Sequence, residues 1–284
     1  MVIALKGIRV IFAALGVILM EDKEELRDQI RENYSQVALK GSSGCCCSPG
    51  CCGVDPAFDV NTAAKNLGYS EEDLQNMPDQ ANMGLGCGNP LAIASLQEGD
   101  IVLDLGSGGG FDCFLARRQV GDSGYVIGVD MTPEMIKLAR KNAWESGYQN
   151  VEFRLGEIEH LPVANDAVDV IISNCVINLA LEKQQVFNEA YRVLKPGGRI
   201  SISDVVATAK IPECIKDDLT SLAGCIAGAE YVGNIENMLK NSGFINIHMV
   251  PKDNSKDIIK NWVPGKNAED FVASYIIEAQ KSES

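Results

Sequence analysis

The chain has 284 residues, with 25 Lys and Arg against 39 Asp and Glu, for a formal net charge of −14. At 46% hydrophobic and 23% charged it can bury a sizeable core, which excludes a disordered or collagen-like polymer. Phosphate binding draws on a Lys and Arg surplus, so the acidic balance argues against nucleic acid and anionic membrane as partners and favours neutral or cationic small ligands.

Ile11 to Met20 is almost wholly apolar and follows Lys6 and Arg9, in the manner of a signal peptide. No small-residue cleavage site follows, and the run is shorter than the roughly 20 residues that span a bilayer. Residues 1–20 therefore read as a dispensable apolar extension with Met20 as the functional start; a weak membrane anchor is the minor alternative. From Glu21 to Lys40, the residues Leu26, Ile30, Tyr34 and Val37 recur three or four apart, which predicts an amphipathic helix. Gly41-Ser42-Ser43-Gly44 stops it.

Five of the ten cysteines follow at once: Cys45, Cys46, Cys47, Cys51 and Cys52, in a stretch punctuated by Ser48, Pro49 and Gly50 and therefore a loop. Cys87, Cys113, Cys175, Cys214 and Cys225 stand alone. A chain this large needs no disulfide staples, so functional thiols, metal-binding or redox, are expected over a structural disulfide framework. Two cysteine pairs in the loop could also make a tetrahedral thiolate site for zinc or another soft metal. Further on, Ser70-Glu71-Glu72-Asp73 has the capping-box pattern and predicts a short helix ending before Pro78.

From residue 100 short β-branched runs alternate with helical stretches. Strands are predicted over Ile101–Leu105, Tyr125–Asp130, Val151–Arg154, Val168–Ser173 and Arg199–Val205, as in βαβ units. Thr132-Pro133-Glu134 reads as an N-cap, a Pro at the first helical position and an acid in the first turn; Lys195-Pro196-Gly197-Gly198 reads as a turn. Ala207 to Tyr231 is less regular, and Phe244–Val250 and Val272–Ala279 close the series. The fold class is therefore α/β, a doubly wound, mostly parallel sheet of seven strands with its sites at the carboxyl ends.

Leu103-Asp104-Leu105-Gly106-Ser107-Gly108-Gly109-Gly110 puts glycines where the backbone must turn tightly after the first strand. Phe111 stands where a dinucleotide fingerprint needs its last glycine, and Gly-Lys-Ser/Thr is missing, so neither a pyrophosphate nor a P-loop phosphate is indicated. Asp130 ends the second strand about 20 residues further on, where a carboxylate accepts ribose hydroxyls. With Asp104 before the glycines, the cleft is negative and suits a nucleoside carrying ammonium and sulfonium groups. S-adenosylmethionine fits better than a phosphorylated cofactor.

Asp104 to Gly110, Gly128-Val129-Asp130-Met131-Thr132 and Gly156-Glu157-Ile158-Glu159 resemble the motifs of class I S-adenosylmethionine-dependent methyltransferases. Gly86-Cys87-Gly88-Asn89-Pro90, Ser173-Asn174-Cys175-Val176-Ile177-Asn178-Leu179 and Gly224-Cys225-Ile226-Ala227-Gly228-Ala229 resemble, more specifically, arsenite methyltransferases of the microbial type. The resemblance runs from about residue 25 to the C-terminus. It implies a cofactor site at Asp104, Gly106, Ser107, Gly108, Asp130, Met131, Glu157, Ile158 and Asn174, and trivalent arsenic bound by Cys87, Cys175 and Cys225. It also implies that one thiol among Cys45, Cys46, Cys47, Cys51 and Cys52 pairs with Cys87 in a disulfide cycle; which one stays open. The organisation expected is an apolar extension (1–20), a helical and cysteine-rich segment (21–99), the S-adenosylmethionine-binding core (100–206) and an arsenic-covering region (207–284).

The chemistry is coherent with these residues. Trivalent arsenic is thiophilic, and His160 and His248 are the chain's two histidines, so an imidazole site is not available. Three thiols exchange for the three hydroxyls of neutral arsenous acid without creating buried charge. The arsenic lone pair carries no proton, so methyl transfer needs no general base. Methylation formally oxidises arsenic, and a nearby thiol pair returns the two electrons by forming a disulfide, which an external thiol reductant such as thioredoxin or glutathione restores. Cys113 and Cys214 are expected to be packing residues. Arsenite and methylarsenite are the expected substrates, a thioredoxin-like protein the expected partner, and the cytoplasm the expected location. Two other readings remain at this point: a methyltransferase acting on an organic acceptor, and a soft-metal binding or sensing protein with a non-catalytic fold.

Overall fold

The computed structural model describes residues 17–40, 60–75, 77, 78, 80–212, 215, 225–260 and 267–283. The β-branched runs become β1 (Ile101–Leu105), β2 (Tyr125–Asp130), β3 (Val151–Leu155), β4 (Val168–Asn174), β5 (Leu194–Ala207), β6 (Ile245–Pro251) and β7 (Val272–Gln280). They form one sheet in the order β3-β2-β1-β4-β5-β7-β6. The first five strands are mutually parallel, and β7 runs antiparallel to both β5 and β6. Strand order reverses between β1 and β4, which opens a crevice at their carboxyl ends.

The helices are α1 (Val17–Lys40), α2 (Val60–Leu67), α3 (Glu71–Leu74), α4 (Leu91–Ala94), α5 (Phe111–Val120), α6 (Pro133–Glu145), α7 (Lys183–Val193), α8 (Val232–Ser242) and α9 (Ser255–Lys260). Strand residues alternate between two cores because successive side chains point to opposite faces. On one face Leu103, Ile171, Ile200 and Ile202 pack with Phe187 of α7 and Leu239 of α8. On the other, Val102, Val126, Val170 and Ile172 pack with Phe114 of α5 and Ile136 of α6. Each such apolar side chain contributes about 1.5–3 kcal/mol by leaving water.

The capping box at Ser70 forms as expected: its Oγ accepts the Asp73 N–H at 3.1 Å and Asp73 Oδ2 accepts the Ser70 N–H at 2.8 Å. Its helix ends at Leu74, well before Pro78. Two local expectations are corrected. Thr132 makes no side-chain cap of α6, because its N–H and hydroxyl are both taken by the Asp130 carboxylate. Lys195 to Gly198 does not separate a helix from a later strand; β5 starts at Leu194 and absorbs these residues as an irregularity between the pairs Val168–Leu194 and Val170–Arg199. Gly197, at φ +78°, permits the kink. Helix α1 runs continuously through Met20. Among the described residues no helix is long and apolar enough to cross a membrane.

Candidate active site

A cleft open to solvent lies over the carboxyl ends of β1, β2 and β4. The glycine-rich turn shapes it. Gly106, at φ +70°, lets the chain leave β1 against Val176, and Gly108, at φ +50°, brings its N–H to 2.9 Å from Asp130 Oδ2. Asp130 Oδ1 accepts the Thr132 N–H at 2.8 Å, which leaves further acceptor capacity on both oxygens. Burial outweighs these bonds and holds the carboxyl above its ordinary range. The Ser107 hydroxyl, which also borders the cleft, is the buried side-chain oxygen without a hydrogen-bond partner among the described residues.

Two more carboxylates crowd the opposite end. Asp104 and Asp112 are 3% and 8% exposed, and burial raises both, Asp112 to about 6 and Asp104 well above its usual range. Tyr69 donates to Asp112 Oδ1 at 2.6 Å, Asn174 Nδ2 donates to Asp112 Oδ2 at 3.2 Å, and Cys113 lies 3.2 Å from Asp104 Oδ2. Burial, followed by the charge of Asp104, pushes the Cys113 thiol up, so this cysteine packs and does not react. A pair of buried acids with no basic partner among these contacts is matched to a cationic ligand group.

Cys87, Cys175 and Cys225 arrive from three distant segments in one buried apolar cluster with Val205, Ile211, Ile226 and Val272. Cys175 follows β4 directly and has φ +58°; Cys225 has φ +61°. Cys87 and Cys175 form a disulfide with Cα atoms 5.8 Å apart. Cys225 Sγ lies 2.8 Å from the Cys175 carbonyl oxygen, outside the bonded pair. Cys87 is bonded to Cys175 in this structure; the pairing of Cys87 with a loop thiol that the resemblance implied falls on residues outside those described. Cys45, Cys46, Cys47, Cys51, Cys52 and Cys214 lie outside the described residues.

Residues 96–243 match the family described as "Methyltransferase domain". An arsenite methyltransferase of Halobacterium salinarum is 48% identical over 269 residues, which cover 92% of this chain and 68% of that protein. The chain belongs to the arsenite methyltransferases. An arsenite methyltransferase of Aquipseudomonas alcaligenes is 41% identical over 180 residues, 61% of this chain and 51% of its own. The crystal structure of an arsenic(III) S-adenosylmethionine methyltransferase from Chlamydomonas reinhardtii superposes with a TM-score of 0.56 at 31% identity, covering 78% of this chain and 73% of that one. The chain thus spans about two thirds and about half of the length of these two curated relatives.

Within this arsenite methyltransferase fold, Asp104, Gly106, Ser107, Gly108, Asp130, Met131, Ile158 and Asn174 all border the cleft. Glu157 does not. Its carboxylate is drawn to α1, 3.3 Å from Arg31 and 3.6 Å from Arg27. The same helix packs Val37 against Met83 and Met135, and Arg27 and Tyr34 reach the cleft. Tyr69, Asp112 and Asp204 are absent from the motif reading. A charged residue within the predicted strand Arg199 to Val205 was the available signal for Asp204. No periodicity marks Tyr69 or Asp112, whose partners lie far away in sequence.

Proposed function

We propose that the protein transfers a methyl group from S-adenosylmethionine to trivalent arsenic held by cysteine thiolates. The observation that carries this reading is the convergence of Cys87, Cys175 and Cys225 in one buried cluster beside a cofactor-sized acidic cleft. The cleft residues fit the cofactor: paired buried acids for the ammonium, Asp130 for the ribose hydroxyls, and the unpartnered Ser107 hydroxyl for a further polar contact. When bound, the cofactor supplies an electrophilic methyl group.

The remaining work belongs to the chain. Asp104 and Asp112 hold the cationic end, Met131 and Ile158 supply apolar walls, and Arg27 and Arg31 fasten α1 over the opening through Glu157. Cys87, Cys175 and Cys225 exchange their thiol protons for arsenic, releasing three waters from arsenous acid and leaving a neutral, electron-rich nucleophile. No base is needed, so positioning is the main source of acceleration. Two of these sulfurs joining in a disulfide break their arsenic–sulfur bonds and return two electrons to the methylated arsenic, whose open position takes water with loss of one proton; the Cys87–Cys175 bond is a pair of this kind. An external thiol system, thioredoxin or glutathione, acting through the 45–52 cysteines in a reducing cytoplasm, completes the cycle.

The test incubates reduced protein with arsenite, methyl-labelled S-adenosylmethionine and a thioredoxin system, and separates the arsenic species. Label on arsenic supports the reading and counts the methyl groups. Label absent from arsenic, with the cofactor bound, would sink it in favour of an organic acceptor.

A further inference from the structure

The three-thiolate site leaves one buried group unexplained. Asp204, in β5, has a carboxylate oxygen within 4.8 Å of both Cys87 Sγ and Cys175 Sγ, and all three residues are buried. Its position is fixed: Oδ2 accepts the Ile177 N–H at 3.0 Å, and Oδ1 accepts the Asn178 side-chain amide at 2.9 Å and the Val205 N–H at 2.7 Å. A carboxylate has about four acceptor positions, so these three donors leave acceptor capacity on Asp204. Arsenic held by three thiolates has no use for that oxygen. A dication does.

We propose that the reduced Cys87 and Cys175 thiols and Asp204 form a binding site for a thiophilic divalent cation of the zinc and cadmium class, which competes with arsenite for the two sulfurs. The site shares these sulfurs with the arsenic chemistry proposed above but requires neither methyl transfer nor cofactor. Two thiolates select against magnesium and calcium, whose ligands are oxygens, and a carboxylate is an ordinary companion ligand for zinc. With metal–sulfur and metal–oxygen bonds of about 2.3 and 2.1 Å, tetrahedral ligand atoms stand under about 4 Å apart, so the carboxylate oxygen has to close in from within 4.8 Å and the sulfurs have to part on reduction. Two thiolates and one carboxylate exceed a dication by one negative charge, and Lys183 of α7 interacts electrostatically with Asp204 from the neighbouring element.

Redox state gates the site. A dithiol reductant opens the disulfide by taking up its two electrons' worth of oxidation, and the ion then displaces two thiol protons with no further electron transfer. As the disulfide, the sulfurs are poor ligands and the ion is not held. Cys225 is outside the trio, so arsenite and the dication differ in their third ligand: a thiolate for one, Asp204 for the other.

Cobalt(II) is the probe, because thiolate-to-cobalt charge transfer and visible bands report tetrahedral sulfur coordination. The protein is the full chain with Cys45, Cys46, Cys47, Cys51 and Cys52 replaced by Ser, which removes loop thiols from the signal. Reduced protein is expected to bind one cobalt ion, to release it to zinc or to arsenite, and to bind none when oxidised. Asp204→Asn is expected to weaken cobalt by at least about tenfold while leaving arsenite affinity unchanged. Cobalt binding indifferent to Asp204→Asn, or surviving Cys175→Ser, overturns the site, and parallel loss of cobalt and arsenite in Asp204→Asn makes Asp204 structural and overturns it as well. Independently of any Asp204 variant, X-ray absorption of the zinc-loaded chain should count two sulfur ligands with oxygen, and a three-sulfur shell overturns the assignment.

Discussion

Asn174 holds Cys87 by its backbone: its Oδ1 accepts the Cys87 N–H at 3.0 Å and its Nδ2 donates to the Gly88 carbonyl at 2.9 Å. The same amide reaches Tyr69 and Asp112. One side chain therefore joins the acidic end of the cleft to the cysteine that bonds Cys175. Asn174→Ala leaves these groups short of partners and is expected to cost about 1–3 kcal/mol of stability. Misplacement of Cys87 should slow methyl transfer by roughly 100-fold. Thermal unfolding and initial rates on one preparation check both; full activity in a destabilised variant would deny Asn174 a positioning role.

Cys175→Ser removes the thiol at the end of β4 but leaves Asp104, Asp112 and Asp130 in place. Arsenite binding and methylation should disappear while S-adenosylhomocysteine still binds, as read by calorimetry with each ligand. Loss of the nucleoside instead would assign Cys175 to the fold.

Asp112 gives the cofactor site a pH dependence. Burial raises its carboxyl from 3.8 to about 6, so the folded, empty protein holds the proton more tightly than the unfolded chain does. Stability without ligand therefore falls as pH rises between these values. A bound ammonium favours the carboxylate and reverses the sign. Affinity for S-adenosylhomocysteine should climb with pH through about 6 as Asp112 ionises, at no more than about tenfold per unit. Asp112→Asn should remove this rise near pH 6 and weaken binding by about tenfold at neutral pH.

Gly106→Ala tests the turn after β1. The residue has φ +70°, and an added Cβ would stand 2.9 Å from the Val176 Cβ, with the Val176 methyls closer still. The left-handed conformation alone costs alanine about 1–2 kcal/mol. Denaturant titration is expected to show a larger total loss, partly recovered in the double variant with Val176→Ala, which removes the two closer methyls and leaves the Cβ contact and the backbone strain. Equal stability of the two variants would mean that Val176 simply moves aside.

Local patterning carried much of this molecule. Period-two and near-continuous runs of Val, Ile and Leu marked the strands, and Gly106 to Gly110 followed by Asp130 marked a nucleoside cleft, because backbone dihedrals and side-chain faces depend on neighbours in the chain. Cys87, Cys175 and Cys225 were legible as a set through their surrounding motifs. Pairing was not. That Cys87 bonds Cys175, 88 residues away, follows from strand order and crossover paths, which bring both segments to one sheet edge. The ion pairs of Glu157 with Arg27 and Arg31 form only when α1 folds back, which no local pattern announces. Asp112 and Asp204 are acids among many until burial removes their water and leaves each with a few fixed donors, a condition set by packing around them and by nothing adjacent in sequence.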